Sequence, residues 1–248
     1  MNYLVIEKLE DLKKACEYFS AHSSVLGADL ETTALEPSSG EPILCQLSDG
    51  KKTVVINIKK LLKNLGRYGL PRQENFHIFS DLKQLLENPE IKIVIHNSKF
   101  EQKWLIYWFD ISPTNVFDTY LAAINLDYNE DQDPKRRHNL GAVGRRYLDV
   151  DLDKTEQKSD WSRENLSKEQ YDYAALDVIY LPALYEIMWQ AVISDKIEEP
   201  VTIDIECVPC VAKTELHGIN TNREKYTTEI KVLEGLRERA GITLQDVL

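Results

Sequence analysis

Four carboxylates and one tyrosine have the spacing of a reactive site. Asp29 and Glu31 lie two apart in the run VLGADLE, whose apolar residues predict a strand. A period of two places both acids on one face of a sheet, with Ala28 and Leu30 on the other. Two carboxylates side by side on a half-buried face are costly unless positive charge lies between them, and a divalent cation supplies it through hard oxygen ligands. A solvated edge strand carrying two acids by chance has the same local pattern. Asp177 follows Tyr173 by four residues in YDYAALDVIYL, so on a helix the two share a face, among Ala174, Ala175, Leu176, Val178 and Ile179. Read alone, the same pair also describes an exposed acid beside a core tyrosine. Glu101 opens a predicted helix directly after the apolar run IKIVIH. Sites gather at the carboxyl ends of strands in open α/β sheets, although the helix dipole by itself also favours an acid in the first turn.

The elements that must hold these residues follow from patterning. Residues 3–6 predict a strand and 9–19 a helix. VLGADLE, ILCQLS and TVVINI predict an antiparallel meander, its last two strands joined through Asp49-Gly50. FSDLKQLLENP reads as a helix capped by Ser80 and ended before Pro89. IKIVIH and NVFD are short strands, followed respectively by helices over SKFEQKWLIYWF and from about Asp118. DYNEDQDPKRRH at 127–138 reads as a polar loop, NLGAVGRRYL as a helix, and 149–165 as a charged connection. A long helix spans 167–190, opened by a Ser167/Gln170 capping box and kinked or split at Pro182. Two amphipathic helices, at about 201–216 and 221–240, follow around His217-Gly218. Antiparallel strands followed by strand–helix alternation predict an α/β fold, with a mixed sheet of five to six strands flanked by helices. Residues 1–195 form the expected main domain and 196–248 a helical appendage.

Composition narrows the function. The chain of 248 residues carries 41 acidic and 30 basic side chains, a formal charge of −11. That balance argues against tight nucleic-acid binding through phosphate neutralisation, but not against an enzyme that grips a few nucleotides and leaves the phosphate to metal ions. No signal-peptide core and no uninterrupted apolar run of membrane-spanning length is seen, so no membrane partner and a cytoplasmic location are expected. Four scattered cysteines do not make a disulfide framework. Cys207 and Cys210 have C-x-x-C spacing but lack a nearby second pair, and packing on a helix face is expected for them.

Together these motifs resemble the DEDD exonucleases. Asp29-Leu-Glu31-Thr32 with Leu35 is similar to the first motif of that family. His96-Asn97-Ser-Lys-Phe100-Glu101 resembles the second, and Tyr173-Ala-Ala-Leu-Asp177 the third, in the form that marks the DEDDy branch. The resemblance covers about residues 3–195, includes Phe117-Asp118-Thr119, residues 138–148 and residues 154–162, and implies a ribonuclease H-like fold. One position departs: Glu101 stands where the family has Asp, one methylene longer, so contact through a shifted helix or a bridging water is expected. Asp118 is the fallback carboxylate, although the resemblance places it behind the ligands.

The resemblance also implies chemistry: 3′–5′ exonucleolytic release of nucleoside monophosphates with two Mg²⁺ or Mn²⁺ ions. Asp29, Glu31, Glu101 and Asp177 would be the ligands, with Asp29 bridging both ions. Tyr173 would orient the attacking water. Thr32, Leu35, Asn97 and Phe100 match positions that touch the terminal nucleotide. The basic residues Lys135, Arg136, Arg137, His138, Arg145 and Arg146 are candidates to follow the strand, or form a solvated surface. Within the branch, parts of the chain resemble ribonuclease D and others the proofreading domain of family A DNA polymerases. The segment after 196 is similar to the link from exonuclease to thumb in those polymerases, with the cysteines at ordinary helix positions. The expected substrate is a single-stranded or frayed 3′ end of DNA, with RNA as the alternative and a polymerase domain in cis or trans as a partner. A degenerate, non-catalytic nucleic-acid clamp is the reading of another class.

Overall fold

A computed structural model describes residues 2–127, 138–152, 159–220 and 222–245. Six strands, β1 (Leu4–Ile6), β2 (Val25–Thr32), β3 (Pro42–Ser48), β4 (Thr53–Asn57), β5 (Lys92–Ile95) and β6 (Val116–Asp118), form one mixed sheet in the order β1-β4-β3-β2-β5-β6. β2, β3 and β4 are the expected antiparallel meander. β5 joins β2 in parallel and β6 joins β5 in parallel, so β2, β5 and β6 all end on the same edge of the sheet. The lead strand β1 pairs in parallel with β4, a non-local pairing that no turn signal announces.

The alternation of β2 sorts its side chains. Ala28 and Leu30 enter a core with α1 (Leu9–His22), α3 (Ser80–Leu86) and α4 (Lys99–Phe109), including Leu12, Phe19, Leu82 and Trp104. Gly27, Asp29 and Glu31 face the opposite side. Burying this much aliphatic and aromatic surface, at about 25 cal/mol per Å², holds the sheet between its helical layers. The opposite face is covered by α7 (Lys168–Ile179) and α8 (Leu181–Ser194), with α5 (Thr119–Leu126) and α6 (Leu140–Leu148) packed beside them. α7 opens with the expected capping box: the Ser167 hydroxyl accepts from the Gln170 N–H and the Gln170 carboxamide accepts from the Ser167 N–H. The long helix breaks at Tyr180, just before Pro182, as its missing N–H requires. Lys168–Ser194 has the length and apolarity of a bilayer span, but it is these two helices, lying on the sheet.

Three local readings need correction. Ser80 does not cap a helix. A 3₁₀ segment, Arg72–Phe79, runs straight into α3, so Ser80 is already helical and its N–H bonds to the His77 carbonyl. That segment and α2 (Ile58–Asn64) follow β4 with no strong sequence signal; α2 is capped by Asn57, whose side chain accepts from the Lys60 N–H. Cys207 and Cys210 are exposed on α9 (Glu198–His217) rather than packed, because Val201, Ile205, Val208 and Ala212 take its buried face.

The chain divides into two compact units, Met1–Leu216 and His217–Leu248. All of α9 but its last residue therefore belongs to the first unit, with Val201 and Ile205 in one core cluster with Leu184, Met188 and Val192 of α8. The second unit consists chiefly of α10 (Arg223–Gln245).

Candidate active site

The carboxyl ends of β2 and β5 and the exposed flank of α7 enclose an open cleft of ≈ 900 Å³. Asp29, Glu31, Thr32, Leu35, Asn97, Phe100, Glu101, Tyr173 and Asp177 all line it. These nine residues, singled out from three separated segments, converge because β2 pairs in parallel with β5 while α7 crosses over β2 and β3.

Oxygen atoms of Asp29, Glu31 and Asp177 all lie within 4.8 Å of one another. Like charges this close repel one another unless a cation lies between them, and all-carboxylate oxygen donors suit a hard divalent ion. Glu101 stands beside Asp29 rather than within the group of three. It is 5% exposed, and its Oε2 has no hydrogen-bond partner among the described residues. Burial, and then the charge of Asp29, push its carboxyl well above the ordinary glutamate range. A buried carboxyl against an acid, with one oxygen unspent, fits a metal site better than a structural ion pair. Tyr173 lies one helical turn before Asp177. Burial, followed by the carboxylates of Asp177 and Glu31, pushes its phenol up, so the hydroxyl stays protonated and available as a donor.

Asp118 has a different task from that of a spare ligand. Its Oδ1 accepts from the backbone N–H groups of Asn97, Tyr120 and Leu121, and its Oδ2 accepts from Ser98 N–H at 2.7 Å. It thus caps α5 and pins the turn from β5 into α4. Asn97 takes φ +65° in that turn, a left-handed conformation that asparagine tolerates better than most residues. Its placement, and that of Phe100 and Glu101 after it, depends on this clamp.

The rim on the other strand is also built locally. The pairing of β2 with β3 shifts register between Glu31 and Thr32, a bulge that re-aims the chain at the end of β2. The loop beyond is closed by Thr33 N–H to the Glu41 carbonyl and by Glu41 N–H to the Thr33 hydroxyl. It presents Leu35, 81% exposed. Buried Lys103 of α4 holds the neighbouring Glu36 at 2.7 Å and Glu215 of α9 at 3.0 Å.

Sequence reasoning did not assign His96, Tyr120, Asn139, Ser159 and Trp161 to the cleft that they also line. His96 opens the second motif, and Asn139, Ser159 and Trp161 lie in segments 138–148 and 154–162 that the resemblance includes; Tyr120 follows Phe117-Asp118-Thr119 directly. The Thr119 hydroxyl hydrogen-bonds His96 Nδ1 at 2.9 Å, and the Trp161 ring packs against Tyr173. The basic cluster is only partly in view. Lys135, Arg136 and Arg137, like residues 154–158, lie outside the described residues. Arg145 is paired with Asp151, while Arg146 and His138 are both paired with Asp127.

A mixed sheet with two carboxylates at the end of β2 and a third in the helix after the parallel strand β5, faced by a helix carrying tyrosine and aspartate one turn apart, defines a ribonuclease H-like nuclease. The chain belongs to the 3′–5′ exonuclease family, which it matches over residues 3–193. It is 31% identical over 254 residues to DNA polymerase I of Aquifex aeolicus, a match covering 94% of this chain and 38% of the polymerase. It is also 31% identical over 136 residues to ribonuclease D of Haemophilus influenzae, covering 55% of this chain and 32% of that enzyme. Among solved structures, Brucella melitensis NrnC bound to pGG superposes with a TM-score of 0.69 at 26% identity, covering 88% of this chain and 95% of NrnC. NrnC with bound Mg²⁺ gives 0.65 at 27% identity, over 79% and 87%. The chain thus spans about a third of the length of the two curated relatives, 38% and 32%, and nearly the whole of NrnC. It is a nuclease of the 3′–5′ exonuclease class.

Proposed function

We propose that this chain releases nucleoside monophosphates from single-stranded or frayed 3′ ends of DNA, with two Mg²⁺ or Mn²⁺ ions held by Asp29, Glu31, Asp177 and Glu101. The convergence of three carboxylates within 4.8 Å, with a fourth buried acid beside Asp29, carries this reading. When bound, divalent ions activate water and offset the negative charge that builds on a phosphoryl group under attack.

The protein's own groups do the rest. Asp29, grouped with Glu31 and Asp177 and with Glu101 beside it, would contribute to holding both ions. Tyr173, held protonated, donates its hydroxyl hydrogen beside Asp177 and orients the attacking water. The Phe100 ring stacks on the terminal base, a contact that tolerates any sequence. Leu35 offers apolar surface from the rim loop, and Thr32 and Asn97 supply hydrogen-bonding groups. A chain with an excess of acid can work in this way because ions held by these carboxylates, rather than a basic surface, would offset the phosphate charge.

The preference for DNA draws support from the match to DNA polymerase I, which runs over 94% of the chain. The same match supports reading residues 196–248 as the start of a thumb-like region, with a polymerase domain in cis or trans as partner. A second reading, trimming of RNA 3′ ends, is favoured by the ribonuclease D match and by the near-complete coverage of NrnC, solved with pGG. The test uses 5′-labelled DNA and RNA single strands of one sequence, with Mg²⁺ or Mn²⁺, and Asp29→Ala as control. Stepwise shortening of DNA ahead of RNA is expected. Faster RNA shortening would establish the second reading, and no metal-dependent shortening of either would overturn the enzyme mechanism given above.

A further inference from the structure

We propose that Gln46 is a positioning residue for Asp29, its carboxamide donating a hydrogen bond to that carboxylate when the carboxylate holds a divalent ion. The inference rests on the metal-site reading above. Gln46 is 0% exposed, and neither its Nε2 nor its Oε1 has a hydrogen-bond partner among the described residues. Leaving both ends of a buried amide unpaired costs more than a satisfied hydrogen bond gains, so its position calls for a partner that one state of the protein supplies.

The register identifies that partner. Gln46 on β3 lies directly opposite Asp29 on β2. Residues opposite one another in an antiparallel pair point to the same face, with Cβ atoms about 4.5–5.5 Å apart, within reach of a glutamine for an aspartate. The other directions are closed. Across the sheet Gln46 meets Val55. Along its own strand, Leu44 is apolar and the Ser48 hydroxyl is engaged with Thr53 at 2.8 Å. Ala174 and Ala175 of α7 join Leu44 and Val55, the neighbours of Gln46 along and across the sheet, in one buried apolar cluster. From the far side Asp29 meets Glu101. With a cation drawing these acids together, the Gln46 amide would hold the Asp29 carboxylate from the β3 side, in the way that ligating carboxylates are held by hydrogen bonds from behind.

The test measures Mn²⁺ binding by calorimetry, and thermal unfolding in EDTA, on the full chain bearing Gln46→Met, with Gln46→Leu as second variant. Removing an unpaired buried amide is expected to leave the metal-free melting temperature unchanged or raised, while Mn²⁺ affinity falls about 10- to 100-fold. Unchanged Mn²⁺ affinity in both variants overturns the proposal. So does failure of both variants to fold without metal, because the amide would then be required structurally. Asp29→Asn separates the two readings. Loss of Mn²⁺ binding there, with wild-type affinity in Gln46→Met, removes only the role of Gln46, whereas wild-type affinity in Asp29→Asn removes the metal site itself.

Discussion

Replacing Gly27 by alanine tests how closely the site depends on the approach of α7 to β2. A Cβ at position 27 would lie 2.7 Å from the Val178 carbonyl oxygen, 2.8 Å from Leu181 Cβ and 3.3 Å from Pro182 Cδ. The first contact is with backbone and the second with the root of a side chain, so no rotamer change relieves them. The helix junction must move by at least several tenths of an ångström. Overpacking of this kind costs about 1–3 kcal/mol, a fall of about 2–12 °C in melting temperature for a chain of this size. The displaced segment includes Asp177, next to Val178, while Asp29 lies two residues beyond Gly27 on the same face. A ligand set must be held to within about 0.5 Å, so the shift should weaken Mn²⁺ binding and slow cleavage even where the protein is fully folded. Urea unfolding monitored by circular dichroism, Mn²⁺ calorimetry and single-turnover cleavage at a temperature well below melting make the comparison. Destabilisation with unchanged metal affinity would show that Asp177 does not ride on this contact. An unchanged melting temperature would refute the packing argument itself.

Other perturbations separate chemistry from support. Tyr173→Phe removes only the hydroxyl; a fall in single-turnover rate of about 10²-fold or more, with Mn²⁺ affinity kept, is expected, and an unchanged rate would strip Tyr173 of its part in orienting water. Asp118→Ala removes the acceptor of four backbone N–H groups and should cost about 1–3 kcal/mol in urea unfolding; a loss below measurement error would show that the turn holds without its clamp. The metal-free protein should also depend on pH through Glu101. Its carboxyl is raised in the folded chain, so the stability it contributes is complete below the ordinary glutamate value and is lost as pH rises through the raised value. Melting temperatures in EDTA should therefore decline with rising pH over that window, and Glu101→Gln should flatten the decline; a slope that survives the substitution would assign it to other groups.

Much of this architecture follows from rules acting over a few residues. Alternation in β2 places Asp29 and Glu31 on one face because successive strand residues point oppositely. Ser167 and Gln170 open α7 because each satisfies the other's free backbone N–H. Pro182 breaks the long helix because it lacks an N–H and crowds the preceding turn. The three antiparallel strands and the change to strand–helix alternation identify the sheet as mixed. Residue types and spacing make oxygen-ligand metal chemistry available on this face, and leave a solvated acidic strand as the other reading.

Tertiary structure decides the rest, because burial and pairing depend on residues distant in the chain. Alternation cannot say that Gln46 lands opposite Asp29; the β2–β3 register does. The sequence leaves Asp118 as a fallback carboxylate that the resemblance places behind the ligands, and only the fold of the turn before α4 shows which backbone amides its oxygens hold. Ser80 has the chemistry of a cap, but a preceding 3₁₀ segment takes away the extended backbone that a cap needs. Cys207 and Cys210 are exposed because the aliphatic residues of α9 occupy its buried face. Glu101 keeps the charge expected of a ligand, but its burial against Asp29, which raises its carboxyl and leaves one oxygen unspent, arises from parallel pairing of β5 with β2. The sequence therefore determined which groups are available for the chemistry, and the packing of α4 and α7 around β2 determined which of them meet.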